Sequence, residues 1–174
     1  MEEMLDIVNE ADEVVGQTTR SDMHHRSLMH RATHIILINS ASQIFMQLRS
    51  KTKDTNPGLW DTSAAGHVDA GESYTACAVR ELEEELGVVV SIDDLVEVGR
   101  LPPTFNNGFE FVRIYTCVSD EPITLEAGEI DDGKWVTRAE LEQWISTSPE
   151  AFASSFSTIW QNTQNKLAPN NEPH

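Results

Sequence analysis

The chain of 174 residues is poor in positive charge, in cysteine and in long apolar runs, and each shortage removes a class of function. Twelve Lys and Arg stand against 29 Asp and Glu, a formal net charge of -17. Such a surface repels nucleic-acid phosphates and anionic membranes, so neither is expected as a partner. An anionic small molecule meets the same repulsion, which makes divalent cations the natural intermediaries. Only Cys77 and Cys117 are present, within an expected helix and an expected strand, and neither a disulfide framework nor a zinc knuckle follows. No apolar run is long enough to span a bilayer, and Met1-Glu2-Glu3 lacks the basic start of a signal peptide, so a cytoplasmic location is the expectation. The 39% apolar content suffices for one compact domain, expected over residues 1–168, with 169–174 as a frayed tail.

What is present reads as alternating strands and helices. Residues 5–8 and 13–16 form an expected hairpin around a polar turn, and Ser21-Asp22 opens a short helical stretch ahead of His24, His25 and His30. Residues 32–38 are a largely apolar run, expected to be a strand buried on both faces and hairpinned with residues 44–48. Pro57-Gly58 marks a loop, and the small residues 62–66 favour extended chain. Ser73 is an N-cap for a helix that carries Ala76, Val79, Leu82 and Leu86 and stops at Gly87. Residues 95–98 and 110–118 read as strands, the second interrupted by Arg113, and residues 134–136 as a last short one. Thr137-Arg138-Ala139-Glu140 is a capping box, and a final helix is expected from Ser148-Pro149, with Phe152, Phe156, Ile159 and Trp160 as core anchors. This order points to an α/β layer structure around a mixed β-sheet.

Within it, Gly66 to Val88 carries the chemistry. Gly66 is followed after five residues by Glu72, after seven more by Arg80-Glu81-Leu82, and then by Glu84-Glu85 and Gly87-Val88. With common residues at roughly 7% each, seven fixed matches arise by chance about once in 10^8 positions. Glu81 and Glu85 fall one helical turn apart, and Glu84 lies about 60° round from Glu81. Like charges at that spacing repel unless a cation settles among them, and Mg²⁺ prefers such hard oxygen ligands. The helix's apolar positions are expected mainly on the other side, so that one face packs and the other ligates.

This segment resembles the signature of the Nudix hydrolases at every fixed position. The resemblance implies an α/β/α sandwich, hydrolysis of a nucleoside diphosphate linked to another group, and Mg²⁺, with Mn²⁺ as a substitute. It implies Glu81, Glu84 and Glu85 as metal ligands, with the Gly66 carbonyl able to join them, Glu72 as a helper and Arg80 orienting a glutamate. The general base is left open between Glu81 and a loop acid, Glu129 first and Glu126 second. Homodimers are common in the superfamily.

Outside the signature the chain is similar to the isopentenyl-diphosphate isomerase branch of that superfamily, in His30-Arg31-Ala32, in Arg49 and Lys53 before Pro57-Gly58-Leu59-Trp60, and in Gly66-His67. That likeness implies Arg49 and Lys53 as phosphate contacts. It also implies a separate metal site at His30, His67 and Glu110, with His24 or His25 as a further ligand. The isomerases use a Cys where this chain has Ala65, and they degrade the acidic cluster that this chain retains. Hydrolysis is therefore the expected activity, ahead of isomerisation and of a nucleotide-sensing module without turnover. Trp60, Phe105 and Phe109 are candidate base-stacking residues, more readily explained as packing.

Overall fold

The computed structural model describes residues 1–167, so the tail at 169–174 lies outside the described residues. β1 (Met4–Val8) and β2 (Val14–Thr19) pair antiparallel as a separate two-stranded sheet. α1 (Arg20–His25) follows, capped by the Thr19 side chain, which accepts from Asp22 N. The main sheet has seven strands: β3 (His30–Ile38), β4 (Ile44–Arg49), β5 (Trp60–Asp61), β6 (Ala64–His67), β7 (Val96–Leu101), β8 (Glu110–Val118) and β9 (Ile130–Val136). Its helices are α2 (Tyr74–Leu86), α3 (Arg138–Thr147) and α4 (Phe156–Thr163).

Alternation along β3 explains the layers. Ile35 and Leu37 pack with Ala78, Leu82 and Leu86 of α2, whereas Ala32 and Ile36 pack with Leu141 of α3 and with Ile159 and Trp160 of α4. The strand is thus buried on both faces, and the architecture is the expected α/β/α sandwich around a mixed sheet. The capping box of α3 forms as read, with Thr137 Oγ1 accepting from Glu140 N and the Glu140 carboxylate from Thr137 N.

Three local readings change. β8 runs unbroken through Arg113, because its guanidinium lies 4.1 Å from the Tyr74 ring centroid and near Asp12 rather than in the apolar core. Residues 149–151 form a 3₁₀ turn, and α4 starts only at Phe156; Phe152 still reaches the core, its ring stacked 5.0 Å from that of Phe156. β9 begins at Ile130, four residues ahead of the expected strand, because it pairs along the whole of β4.

The larger difference concerns the β3–β4 hairpin. β3 pairs with β8 in parallel from His30↔Glu110 to Ile38↔Val118, but with β4 only at Ile38↔Ile44. On that side its first half pairs instead with β6, from Ala32↔His67 to Ile35↔Ala64. β4 diverges to pair with β5 and β9, and the sheet forks. Ser63, fully buried, stands in the crotch: its hydroxyl accepts from Leu37 N at 2.8 Å and donates to Phe45 O at 2.6 Å, in place of the ladder bonds that the divergence removes. A cleft of about 1040 Å³ opens in this fork.

Removing the Ser63 hydroxyl leaves a buried donor and a buried acceptor unpaired. Ser63→Ala is expected to cost about 2 kcal/mol, read from urea denaturation midpoints.

Candidate active site

α2 brings the acids to the cleft. Ser73 caps the helix by accepting from Ala76 N, and Gly87, at φ 67°, ends it in the left-handed conformation. Its buried face comprises Tyr74, Cys77, Ala78, Leu82 and Leu86, and Glu81 and Glu85 are buried among them at 8% and 7% exposure. Ala76 and Val79 are only half-buried. The expectation that one face packs and the opposite face ligates is therefore corrected: two of the acids stand at the border of the packed face, where α2 meets β6.

Gly66 makes this possible through space rather than backbone angle. A Cβ at that position would lie 1.9 Å from Glu81 Oε1. Beside it, Glu85 accepts from Ala65 N at 3.0 Å and from Gln47 Nε2 at 3.0 Å. Arg80 Nη1 donates to Glu81 at 2.8 Å and to Glu84 at 3.1 Å, so it orients two of the acids. Its Nε and Nη2 hold both oxygens of Glu72, at 2.8 and 2.9 Å, and Nη2 also donates to His67 O. Glu72 accepts from Asp69 N as well. Its oxygens are committed to tying the loop after β6 to α2, and Glu72 is absent from the cleft lining.

The electrostatics follow from this crowding. Burial, then the neighbouring Glu85 carboxylate, pushes the Glu81 carboxyl up to about 8, against the partial relief of Arg80. Burial pushes Glu85 up to about 7, although the Ala65 and Gln47 hydrogen bonds oppose it. Burial acts on Glu72 in the same direction, but Arg80 and the Asp69 amide outweigh it and leave that carboxyl below its ordinary value. Glu81 and Glu85 are thus acids that the protein's own cations do not satisfy. Hard oxygen donors, excess negative charge and glycine-made room together fit a divalent cation, which would be held by Glu81, Glu84 and Glu85 with the Gly66 carbonyl alongside.

The fork gathers most of the remaining candidates. Arg49, Lys53, Gly66, Arg80, Glu126 and Glu129 border the same cleft as Glu81, Glu84 and Glu85. Arg49 donates to Thr55 O and lies 3.8 Å from Asp61, so its guanidinium is partly spent within the protein. Lys53 is ion-paired with Glu129. The loop carrying Glu126 and Glu129 is fastened to the end of α2, where Thr124 N donates to Leu86 O and Glu126 N to Glu85 O. Trp60 packs against Trp144, a core contact rather than a stacking platform, while Phe105 is exposed and meets Phe109 edge-on.

A second cluster borders this cleft through His24, His67 and Glu110. The ring nitrogens of His24, His30 and His67 that could serve as ligands all lie within 4.8 Å of one another. Glu110 Oε1 is 3.1 Å from His67 Nε2 and 3.6 Å from His30 Nε2. Burial alone would raise the Glu110 carboxyl, but the hydrogen bond to His67 and the nearness of both histidines hold it well below the carboxylate range. His30 Nε2 is enclosed without a hydrogen-bond partner among the described residues. Between the two histidines left open by sequence, His24 joins the cluster and His25 does not.

Sequence reasoning missed Gln47, Asp61 and His34, which the fold brings to or beside the site. Each had a faint signal, since Gln47 interrupts the apolar run of β4, His34 directly precedes the apolar run of β3, and Asp61 follows Trp60.

A mixed sheet between two helical layers, with buried acids gathered at a fork beside a close-approach glycine, defines a class of α/β folds built to handle a charged ligand. The chain belongs to the NUDIX domain family, whose profile matches residues 28–154, and it is a Nudix hydrolase. It is 38% identical over 139 residues to the uncharacterized Nudix hydrolase PA4841 of Pseudomonas aeruginosa, covering 80% of each chain. It is 37% identical over 139 residues to the uncharacterized Nudix hydrolase YfcD of Escherichia coli K12, covering 80% of this chain and 76% of that one. The crystal structure of DR0079 from Deinococcus radiodurans superposes with a TM-score of 0.79 at 32% identity, covering 92% of this chain and 99% of that one. Nudix enzymes act on diphosphate bonds and generally use divalent metals such as Mg²⁺ or Mn²⁺. No helix among the described residues is long and apolar enough to cross a membrane.

Two outcomes test the site. Because the folded Glu81 and Glu85 carboxyls lie above their ordinary value of 4.5, the protonated forms favour folding. That stabilisation is present below the ordinary value and is lost as the pH rises through 7 to 8. Metal-free protein should accordingly melt at falling temperatures as the pH rises from the ordinary value to between 7 and 8, Mg²⁺ should restore the loss, and Glu81→Gln should remove the share due to Glu81, all read by calorimetric melting. Gly66→Ala should displace Glu81 and weaken Mg²⁺ binding by at least tenfold, roughly 1.4 kcal/mol, in titration calorimetry.

Proposed function

We propose that this enzyme uses Mg²⁺, with Mn²⁺ as a substitute, to hydrolyse the diphosphate bond of a nucleoside diphosphate linked to another group, or of a related organic diphosphate. It would act as a single domain over residues 1–168. The observation that carries this reading is the convergence of Glu81, Glu84 and Glu85 beside Gly66, in one cleft with Arg49 and Lys53. A divalent cation bound there supplies neutralisation of the diphosphate and a more acidic attacking water. Arg80 keeps Glu81 and Glu84 aimed into the cleft, and Gln47 with the Ala65 amide does the same for Glu85.

In this reading Lys53 has two partners. Without substrate it neutralises Glu129; with a diphosphate in the cleft the ammonium turns to the phosphate and leaves Glu129 free to accept the water's proton. Glu129 is therefore assigned as the general base ahead of Glu126, and also ahead of Glu81, whose oxygen is committed to Arg80. Arg49 contacts the same phosphate from β4 after giving up part of its hold on Thr55.

A second reading concerns the histidine cluster. Its enclosed, unpartnered His30 Nε2 beside Glu110 supports a further metal site at His24, His30, His67 and Glu110, within an isomerase-like frame. Isomerase chemistry is not favoured, because Ala65 offers no ionisable group to the reacting carbon.

Release of phosphate or monophosphate in Mg²⁺ is the direct test, across nucleoside diphosphates, nucleotide sugars, dinucleotides and prenyl diphosphates. Glu84→Gln combined with Glu85→Gln should lower kcat by at least about 10²-fold while the fold persists, and Glu129→Gln should lower kcat with little change in KM. Failure on the whole panel, with a known Nudix hydrolase active alongside, would overturn the reading. Elemental analysis after dialysis against Mn²⁺ or Zn²⁺ should find one equivalent fewer in His67→Ala than in the unaltered protein.

A further inference from the structure

The cleft lining also contains an apolar stretch of the sheet that carries none of Glu81, Glu84, Glu85 and Lys53. Ala32 of β3, Val112 of β8 and Leu101 of β7 lie on one face of the sheet with Ile159 of α4 packed against it, and the same face carries His34. His34 lies mid-strand in β3, between Ala65 of β6 and Ile114 of β8, at a position whose neighbours on the same face are Ala32 and Ile36. An imidazole in that row loses hydration that Val or Ile would not miss, so its polar atoms need partners.

One nitrogen has its partner and the other does not. Nδ1 is 2.7 Å from Thr62 Oγ1 and 4.0 Å from Asp61 Oδ1. The Thr62 hydroxyl has Ala64 O within reach at 3.5 Å, and the buried Asp61 carboxylate makes the potential at Nδ1 negative. Both facts favour the tautomer with its proton on Nδ1, which donates to Thr62 and leaves a lone pair on Nε2. Nε2 has no hydrogen-bond partner among the described residues, yet it is not sealed off as His30 Nε2 is. Asp61 is itself held by the Thr62 amide at 2.8 Å and by Arg49, so the ring is braced from behind.

We propose that His34 is a specificity-determining residue, whose Nε2 accepts a hydrogen bond from an N–H or O–H donor on the organic group attached to the diphosphate. The inference rests on the proposed hydrolysis and deepens it. With the diphosphate held between Arg49, Lys53 and the acids, the attached group falls on the apolar stretch, where van der Waals contact tolerates many shapes and the His34 acceptor discriminates among them. A donor-bearing group such as a nucleobase or sugar satisfies Nε2; a purely apolar group leaves it desolvated and unpaired, which costs affinity.

The test compares His34→Ala and His34→Gln with the unaltered enzyme on nucleoside 5′-diphosphates, isopentenyl diphosphate and methyl diphosphate in Mg²⁺. For the nucleoside diphosphates, His34→Ala should raise KM about tenfold with kcat within twofold, the size of one lost hydrogen bond. For the two diphosphates without donors, KM should stay the same or fall. His34→Gln, which retains an acceptor, should recover part of the loss. Thr62→Val, which removes the brace on Nδ1 and keeps the side-chain volume, should give a smaller KM effect of the same pattern, and it covers the case of a misfolded alanine variant. Equal effects on all three substrates, a loss confined to kcat, or no effect would each overturn the proposal. Calorimetric binding of nucleoside monophosphates without turnover gives an independent reading: if no diphosphate is hydrolysed, the functional reading falls, while a His34-dependent Kd still upholds this one and an unchanged Kd sinks it.

Discussion

Everything at this site depends on the approach of α2 to β6, which sets two buried carboxylates against a strand with no side chain at the contact. Glu81 occupies the volume that a Cβ of Gly66 would need, and Glu85 takes the next backbone amide. The arrangement is electrostatically uncomfortable: burial pushes both acids above their ordinary range, and repulsion from Glu85 adds to it at Glu81. Arg80 offsets part of that cost, and because it also grips both oxygens of Glu72, it locks the loop to the helix while leaving the acids short of positive charge. The helix is stable because Leu82 and Leu86 anchor it in the core, and the deficit of charge is left for a ligand to satisfy.

The fork in the sheet does the rest. A β3–β4 hairpin paired along its length would have closed the space in which the cleft lies. By inserting β6 beside the first half of β3 and sending β4 to β5 and β9, the fold keeps both sets of strands hydrogen-bonded and still opens a cavity between them. Ser63 supplies the hydrogen bonds that the divergence would otherwise leave unmade. Acids from α2, cations from the end of β4 and the connection after it, and loop acids from beyond β8 meet there, although they lie far apart in the chain.

Much of this was legible beforehand, for physical reasons that can be named. Helix periodicity puts Glu81 and Glu85 on one side, the Ser73 and Thr137 caps stand where their side-chain chemistry requires, and β3 reads as doubly buried because its second half, from Ile35 to Ile38, is an unbroken apolar run. Less legible were features that depend on what lies across a gap. The burial of Glu81 and Glu85 within the packed face contradicts any polarity rule and follows only from Gly66. Arg113 reads as a strand breaker in the sequence because its partners, Tyr74 and Asp12, are remote in the chain.

The sequence by itself determined the family, the acid set and the α/β layering, since each rests on residues close enough in the chain for spacing to carry the information. Tertiary structure decided that Lys53 is paired with Glu129, that Glu72 serves Arg80, that His24 rather than His25 joins His30 and His67, and that His34 borders the cleft. Those outcomes rest on distances in the folded chain, between residues eight apart for Glu72 and Arg80 and 76 apart for Lys53 and Glu129. The energy of a charge or a hydrogen bond depends on distance and burial, and neither quantity exists for such pairs until the chain has folded.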